Sequence, residues 1–232
     1  MTPFPGIPEQ ALQSLDEPNP LDVQALRAAL SPLADPPEAA LALLLQYGRL
    51  LLAANTVVNL TGARDWRTLI ESHFLDALAA ARYVPEDARR VADWGSGGGL
   101  PGLVWAIVFP EKQLMLVERT GKKADFLQAA AERLELYNVQ VLRGQGEEVL
   151  REMPPPDLLV ARAVEPLPRL LRRLRRNRVR YGALFLMAGP HGLQDWEALE
   201  PPDRAAWALS ARHRYSPGPG RGERLLLVFK PA

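Results

Sequence analysis

Helical patterning dominates the first third of the chain. The stretch from Leu21 to Leu30 has the pattern of a short helix, and a longer stretch from Glu38 to about Ala54 is dense in Ala and Leu. Pro37 is suited to begin the longer helix, because proline is favoured in a first turn. A third helix is predicted from its N-cap, Asp65, to about Tyr83. The pattern therefore predicts an N-terminal helical region over residues 1–86.

In the remainder of the chain, short apolar strands alternate with helices. The helix candidates begin near Pro101, Lys122, Glu147 and Pro166. This alternation predicts an α/β domain over residues 87–232, with a parallel sheet covered on both faces. Two final strands around a Pro-Gly turn predict an appended antiparallel hairpin. The predicted strands are Val91–Trp94, Gln113–Glu118, Val139–Arg143, Leu158–Arg162, Ala183–Ala188, Ala208–Tyr215 and Arg224–Lys230.

The composition excludes several kinds of site. The chain of 232 residues contains no cysteine, so disulfides, thiolate metal ligands and a cysteine nucleophile are ruled out. The three histidines, His73, His191 and His213, are far apart in sequence and predict no metal site. There is no apolar run of about 18 residues or more and no signal-peptide pattern. We therefore expect a cytoplasmic protein that binds neither a membrane nor a metal.

Positive charge is concentrated in one segment, although the net charge is only +1. Residues 162–180 contain eight arginines and a single acid, Glu165. Such a segment supplies the charge that RNA phosphates attract, but it is equally typical of a solvent-exposed helix face packed through its leucines. Both interpretations stay open. The candidate RNA-binding residues are Lys122, Lys123, Arg172, Arg173 and Arg176.

A glycine-rich loop follows the first predicted strand and is the most informative segment. Its sequence, from Asp93 to Gly102, is DWGSGGGLPG. Glycines let the backbone turn sharply and let a ligand approach the main chain. Because open α/β sheets bind ligands at the carboxyl ends of their strands, the loop predicts a ligand site at the end of the first strand.

Two nucleotide cofactors compete for this loop. Gly97, Gly99 and Gly102 satisfy the dinucleotide spacing, which is a weak signal alone. The Asp93 carboxylate would repel a pyrophosphate, however, and attract the ammonium group of a methionine moiety. Glu118 ends the second predicted strand, where a carboxylate binds the ribose hydroxyls of either cofactor. The charge of Asp93 and the appended hairpin favour S-adenosylmethionine.

Further short motifs surround the loop. They are Asn59-Leu60-Thr61, His73 with Asp76, Gly121-Lys122-Lys123 with Phe126-Leu127, and Ala161-Arg162-Ala163. Together with Leu100-Pro101-Gly102 they make the chain, from about Asn59 to Lys230, resemble the bacterial 16S ribosomal RNA guanine-N7 methyltransferases, also called glucose-inhibited division protein B. The resemblance implies a class I S-adenosylmethionine-dependent methyltransferase with a Rossmann-like sheet. It also implies methyl transfer to N7 of a guanosine in 16S ribosomal RNA of the small subunit.

The resemblance assigns roles to individual residues. Arg162 would line the site near the transferring methyl group, and it is the candidate catalytic residue. The residues that would hold the cofactor are Asp93, Gly95, Gly97 and Leu100 for the methionine part, Glu118 and Thr120 for the ribose, and the turn at 145–148, with Glu147 and Glu148, for the adenine.

The chain departs from the family pattern at three positions. Ala77 and Ala161 stand where the family usually has serine, and Ala188 stands where it usually has lysine before Gly189. The last departure leaves any role of that lysine to another basic residue. His73 and Asp76 share one helix face, and we interpret them as a buried polar pair that docks the N-terminal helices rather than as catalytic groups.

The implied chemistry agrees with what the sequence lacks. Guanine N7 carries a lone pair and no proton, so its methylation requires alignment and exclusion of water rather than a general base. The Asn/Asp-Pro-Pro-aromatic motif of exocyclic amine methylases does not follow the fourth strand, and cytosine C5 methylation usually needs a cysteine. Two alternatives stay open: a methyltransferase for another RNA, a protein or a small molecule, and a non-catalytic or nicotinamide-binding module. We expect a monomer whose partner is 16S ribosomal RNA or the small ribosomal subunit.

Overall fold

The computed structural model describes residues 15–162, 164–189, 191–218 and 222–231. One seven-stranded sheet forms its centre. All the strands predicted from the sequence are present, with ends that agree to within one residue, which confirms the α/β class. In chain order the strands are β1 (Arg90–Trp94), β2 (Gln113–Glu118), β3 (Val139–Arg143), β4 (Leu158–Arg162), β5 (Ala183–Ala188), β6 (Trp207–Tyr215) and β7 (Arg224–Pro231).

The sheet is mostly parallel, with an antiparallel edge. The strand order is β3-β2-β1-β4-β5-β7-β6. Strands β1 to β5 pair in parallel, whereas β7 runs antiparallel to both β5 and β6. The predicted hairpin is therefore added beside β5. The strand order reverses between β1 and β4, and a crevice for a ligand is expected outside the carboxyl ends of strands at such a point.

Helices precede the sheet and connect its strands. Asp65 caps the third helix as predicted, because its Oδ1 accepts the Thr68 N–H at 2.7 Å. A π-helical turn, Ile70–Phe74, interrupts the long predicted helix between α3 and α4. The sequence pattern did not predict α9 or α10. Within the described ranges the helices are α1 (Pro20–Leu30), α2 (Pro37–Ala54), α3 (Trp66–Leu69), α4 (Leu75–Ala81), α5 (Gly102–Val108), α6 (Gly121–Arg133), α7 (Gly146–Glu152), α8 (Leu167–Arg176), α9 (Gly192–Glu197) and α10 (Pro201–Ala205).

Both faces of the sheet are covered by helices, as predicted. Alternate residues of β4 show this division, since Leu158 and Val160 belong to one hydrophobic cluster and Leu159 and Ala161 to the other. The first cluster also contains α1 to α6, and the second contains residues of α7, α8 and α9. The N-terminal helices therefore share a single core with one face of the sheet.

A buried tryptophan fixes these helices to the sheet layer. Trp105 of α5 is fully buried, and its ring nitrogen donates to the Ala77 carbonyl of α4 at 2.9 Å. This bond satisfies the polar group of a large apolar side chain, as buried tryptophans require.

No helix among the described ranges combines the length and the apolar character needed to cross a membrane.

Candidate active site

The glycine loop turns immediately after β1. The N–H groups of Gly95 and Ser96 both donate to the Val117 carbonyl of β2, at 2.9 and 3.1 Å. Gly97 and Gly99 have positive φ angles of 57° and 93°, a region that glycine adopts without a steric penalty. The main chain of the loop thus contributes hydrogen bonds that hold it against the end of the neighbouring strand.

The Asp93 carboxylate lies beneath this loop. The residue is 1% exposed, and its Oδ2 accepts the Gly102 N–H at 3.0 Å where α5 begins. Burial raises the pKa of Asp93 to about 6, although the Gly102 hydrogen bond acts in the opposite direction. Asp93 therefore ties β1 to α5, and it is not among the residues that line the adjacent cleft. Its contact with a methionine group stays a prediction.

Glu118 fastens the loop to the end of β2. Its Oε2 accepts the Gly97 N–H at 3.0 Å, and its Oε1 accepts the Thr120 N–H at 2.8 Å. The residue is 6% exposed but lines the cleft. Because each carboxylate oxygen has a second lone pair, Glu118 can still accept hydrogen bonds from a ligand.

A cleft of about 340 Å³ opens at the carboxyl ends of β1 and β2. It brings together Gly95, Gly97, Glu118, Thr120 and Gln145 from the sequence-predicted site. The predicted residues Leu100, Glu147, Glu148 and Arg162 are not part of its lining. Leu100 is buried and Glu148 is exposed. Among the described residues, no group of three or more His, Cys, Asp or Glu side chains is arranged to hold a metal ion.

Arg173 closes one wall of this cleft through ion pairs. Its Nε contacts Glu147 Oε1 at 3.1 Å, its Nη1 contacts Glu165 Oε1 at 3.2 Å, and its Nη2 donates to Gln145 Oε1 at 3.4 Å. The other carboxylate oxygen of Glu147, Oε2, is buried and has no hydrogen-bond partner among the described atoms. The guanidinium of this predicted RNA-binding residue is thus occupied by two carboxylates of the protein itself.

The other predicted RNA-binding residues lie nearer the solvent. Arg172 pairs with Asp203 of α10 at 3.1 Å, with its side chain 64% exposed. Lys122 and Arg176 are exposed, and half-buried Lys123 lines the cleft. Contact of these four side chains with RNA stays a prediction.

Arg162 ends β4 and is held by side chains from the N-terminal helical region. Its Nη1 lies 3.1 Å from Asp76 Oδ2, and its Nη2 lies 2.8 Å from His73 Nδ1. The Tyr215 hydroxyl of β6 donates to the other Asp76 oxygen at 3.0 Å. His73 and Asp76 therefore form a buried polar group with Arg162, which agrees with their interpretation as a docking pair.

The protonation of His73 follows from these contacts. Burial, together with the positive charge of Arg162, lowers the pKa of His73 to about 4. The ring is therefore neutral at pH 7, and Nδ1 must accept the hydrogen bond from Arg162. Nε2 then carries the proton and donates to Thr61 Oγ1 at 2.8 Å. The side chain of Arg162 is 15% exposed and stays positively charged beside this neutral ring.

Two residues of this region were missed by the sequence analysis. Asn55 forms four hydrogen bonds with the main chain of Leu60, Thr61 and Ala63 and so shapes the loop before α3. Tyr215 reaches Asp76 across 139 positions of sequence. Asn55 follows a helix rich in leucine, where a polar residue is a recognisable end signal, but no pattern reveals the partner of Tyr215.

Comparison with known proteins identifies relatives over most of the chain. Residues 40–214 match the family model described as "GidB: rRNA small subunit methyltransferase G". The ribosomal RNA small subunit methyltransferase G of Halorhodospira halophila is 37% identical over 183 residues, covering 79% of this chain and 84% of that protein. The protein of the same name from Azoarcus sp. is 38% identical over 195 residues, covering 84% and 89%.

Solved structures support the same fold at low sequence identity. The METTL16 methyltransferase domain superposes with a TM-score of 0.53 at 14% identity, covering 83% of this chain and 81% of that one. The tRNA methyltransferase TrmK of B. subtilis gives 0.51 at 18% identity, covering 70% and 66%. These likenesses show the class I methyltransferase fold alone, whereas the family match also confirms the resemblance inferred from the motifs. The chain belongs to the rRNA small subunit methyltransferase G family.

Proposed function

We propose that this protein transfers the methyl group of S-adenosylmethionine to N7 of a guanosine in 16S ribosomal RNA. The observation that carries the proposal is the cleft at the ends of β1 and β2, where Glu118 and the glycine loop lie beside the wall formed by α8. Membership of the family supports ribosomal RNA of the small subunit as the substrate. We further propose that the protein acts as a monomer in the cytoplasm, on naked RNA or on the subunit.

The residues present fit the proposed cofactor. The carboxylate of Glu118 retains acceptor capacity for both ribose hydroxyls, with Thr120 beside it. The turn at 145–148, which is predicted to meet the adenine, borders the cleft through Gln145 and Gly146. The main chain of Gly95 and Gly97 borders the cleft, where a methionine group can approach closely.

The chain's own contribution to the reaction is alignment. When bound, S-adenosylmethionine supplies an electrophilic methyl group, whose bond to sulfur breaks as N7 attacks and whose electron pair stays on sulfur. Guanine N7 brings its own lone pair, so no residue needs to remove a proton. We propose that Arg162, whose guanidinium is fixed by Asp76 and His73, holds the substrate at the end of β4. Exposed Lys122, Arg172 and Arg176, with Lys123 at the cleft, supply positive charge for the phosphates of the RNA.

Methyl mapping tests this proposal directly. Purified protein and tritiated S-adenosylmethionine are incubated with small subunits from cells that lack the protein, with free 16S RNA, and with a ribosome-free cell extract. We expect label in 16S RNA, at a guanosine that gains a positive charge. Label in protein, in transfer RNA or at another base would overturn the proposal. Calorimetry with S-adenosylhomocysteine and with NAD adds a second arm, in which tighter binding of NAD would favour the nicotinamide alternative.

A further inference from the structure

A second cavity, of about 210 Å³, opens beside the cofactor cleft. It lies at the carboxyl ends of β4 and β5 and under the first turn of α9. Its walls are mainly apolar, with Leu167 and Leu170 from α8 and Leu186 and Met187 from β5. A pocket of this size and character suits one planar ring system, because flipped bases are held between apolar side chains.

The two cavities meet at a shared wall. Val164 and Glu165 line both of them. A ligand in the second cavity therefore lies next to a ligand in the cofactor cleft, with Val164 and Glu165, which follow β4, bordering both. Both oxygens of Glu165 are occupied, by Arg169 at 3.1 Å and by Arg173 at 3.2 Å. Glu165 is thus neutralised by the protein, and recognition must come from another polar group.

Asp195 of α9 is that group. It lines the second cavity and is exposed, and no hydrogen bond or ion pair within the described part of the chain engages its carboxylate. The other polar side chain of this turn, His191, has its Nδ1 3.0 Å from Gln194 Oε1. A carboxylate at the rim of an apolar pocket can accept hydrogen bonds from a ligand that presents donors to it.

The helix that carries Asp195 is firmly placed. At Gly192 a Cβ would lie 2.4 Å from the Cβ of Ala188, so α9 packs directly on the end of β5. Trp196 is 8% exposed, and its ring meets Phe229 of β7 edge to face at 4.9 Å. Asp195 stands between these two anchors, and its position relative to the pocket is thereby defined.

We propose that this cavity binds the target guanine base and that Asp195 recognises its Watson–Crick edge. Guanine presents two adjacent donors there, the N1–H and the N2 amino group, which match the two oxygens of a carboxylate. Adenine presents an acceptor at N1 and a C–H at position 2, so the same carboxylate disfavours it. N7 lies on the opposite side of the purine and is left free for the cofactor. This inference rests on the proposed function.

The interaction also favours the reaction itself. Methylation at N7 makes the purine cationic and its N1–H more acidic, which strengthens a hydrogen bond from N1 to a carboxylate. Asp195 therefore binds the transition state more tightly than the substrate, and its loss should lower kcat as well as raise KM.

Two charge-removing variants on the same helix test the inference. Asp195→Asn replaces one acceptor with an amide donor that faces the donors of guanine. Glu197→Gln removes the same charge from α9 but at a residue outside the cavity lining. We expect Asp195→Asn to lower kcat/KM for small subunits about tenfold or more, as loss of a bidentate base contact does. Glu197→Gln should be as active as the wild type, and both variants should bind S-adenosylhomocysteine as the wild type does.

A modified substrate distinguishes base recognition by Asp195 from a merely structural role of this residue. Subunits are reconstituted with inosine, which lacks the N2 amino group, in place of the guanosine that the wild type methylates. The wild type should methylate inosine more slowly than guanosine, whereas Asp195→Asn should discriminate less between them.

The outcomes separate the two proposals. Asp195→Asn activity equal to that of Glu197→Gln, or equal rates of the wild type on inosine and guanosine, overturns the base pocket alone. A wild type that methylates no ribosomal RNA overturns the proposed function and the pocket with it. If Asp195→Asn does not fold, the inosine experiment on the wild type decides.

Discussion

Replacing Asn55 with alanine removes four hydrogen bonds at once. The side-chain oxygen accepts the N–H groups of Leu60 and Thr61 at 2.9 and 3.1 Å, and the amide donates to the carbonyls of Thr61 and Ala63 at 2.9 and 2.6 Å. Asn55 is 8% exposed, so water does not readily replace these bonds. At about 0.5–1.5 kcal/mol for each bond, the free energy of unfolding should fall by about 2–6 kcal/mol.

The loss should extend to the cofactor cleft, because the loop that Asn55 shapes rests on the glycine loop. A Cβ placed on Gly98 would lie 3.3 Å from the Cβ of Leu60 and 3.4 Å from its carbonyl oxygen, so the two loops are in contact. Once the Leu60 loop is released, the glycine loop loses one of its supports. We therefore expect Asn55→Ala to weaken binding of S-adenosylhomocysteine about tenfold, which corresponds to about 1.4 kcal/mol.

Urea unfolding measures the stability change, and calorimetry below the unfolding transition measures the binding change. Asn19→Ala is the matched control, since Asn19 caps α1 through a single exposed hydrogen bond to the Leu21 N–H at 2.8 Å. Its loss should cost about 1 kcal/mol and leave binding unchanged. The reasoning fails if Asn55→Ala unfolds like the wild type, or if it is destabilised but binds the ligand with full affinity.

Three further predictions follow from the same contacts. Glu118→Gln places an amide donor against the N–H of either Gly97 or Thr120, so affinity for S-adenosylhomocysteine should fall about tenfold or more by calorimetry; unchanged affinity would contradict the assignment. Tyr215→Phe removes a hydrogen bond to a buried carboxylate and should lower the free energy of unfolding by about 1–3 kcal/mol, with no loss in urea unfolding as the contrary result. Burial and Arg162 lower the pKa of His73 from 6.5 to about 4, so its stabilising contribution is complete above pH 6.5 and is lost as the pH falls toward 4. The stability advantage of the wild type over His73→Asn should therefore shrink by about 2 kcal/mol between pH 7.5 and pH 5, whereas a constant difference would show that the histidine is not buried in neutral form. The raised pKa of Asp93 acts in the opposite direction but is common to both proteins.

The sheet could be predicted from the sequence because buried strands appear as short apolar runs of neighbouring residues. Strands β1, β2, β4 and β5 each contain a short buried run that is mostly apolar, whereas the edge strand β3 has no buried residue and alternates apolar with polar positions at its start. Glu118 and Arg162 mark two of the carboxyl ends. The short helices α9 and α10 could not be predicted in this way, since neither is long enough to show a helical period. The pocket that involves Asp195 was therefore invisible in the sequence.

The sequence predicted where the main chain of the site lies, but it predicted the contacts of the side chains less well. The loop and Glu118 lie together at the cleft, as their positions at neighbouring strand ends required. Asp93 was expected to attract a ligand by its charge, yet its oxygen is used to begin α5. Arg173 was grouped with the RNA-binding residues, but its guanidinium meets Glu147 and Glu165. Whether an ion is free or paired depends on tertiary contacts, which sequence spacing does not encode.

The polar group around Arg162 is built from segments on either side of the parallel strands. Asp76 and His73, which contact Arg162, precede β1, whereas Tyr215, which donates to Asp76, lies in the terminal hairpin. Deleting the hairpin would remove two partners of Asp76, the Tyr215 hydroxyl and the Arg224 guanidinium, and deleting the first helices would remove the Asp76 carboxylate that pairs with Arg162. Neither the terminal hairpin nor the N-terminal helices can thus be exchanged as an independent module. Recombination or truncation far from the cleft in sequence should inactivate the protein as surely as a substitution inside it.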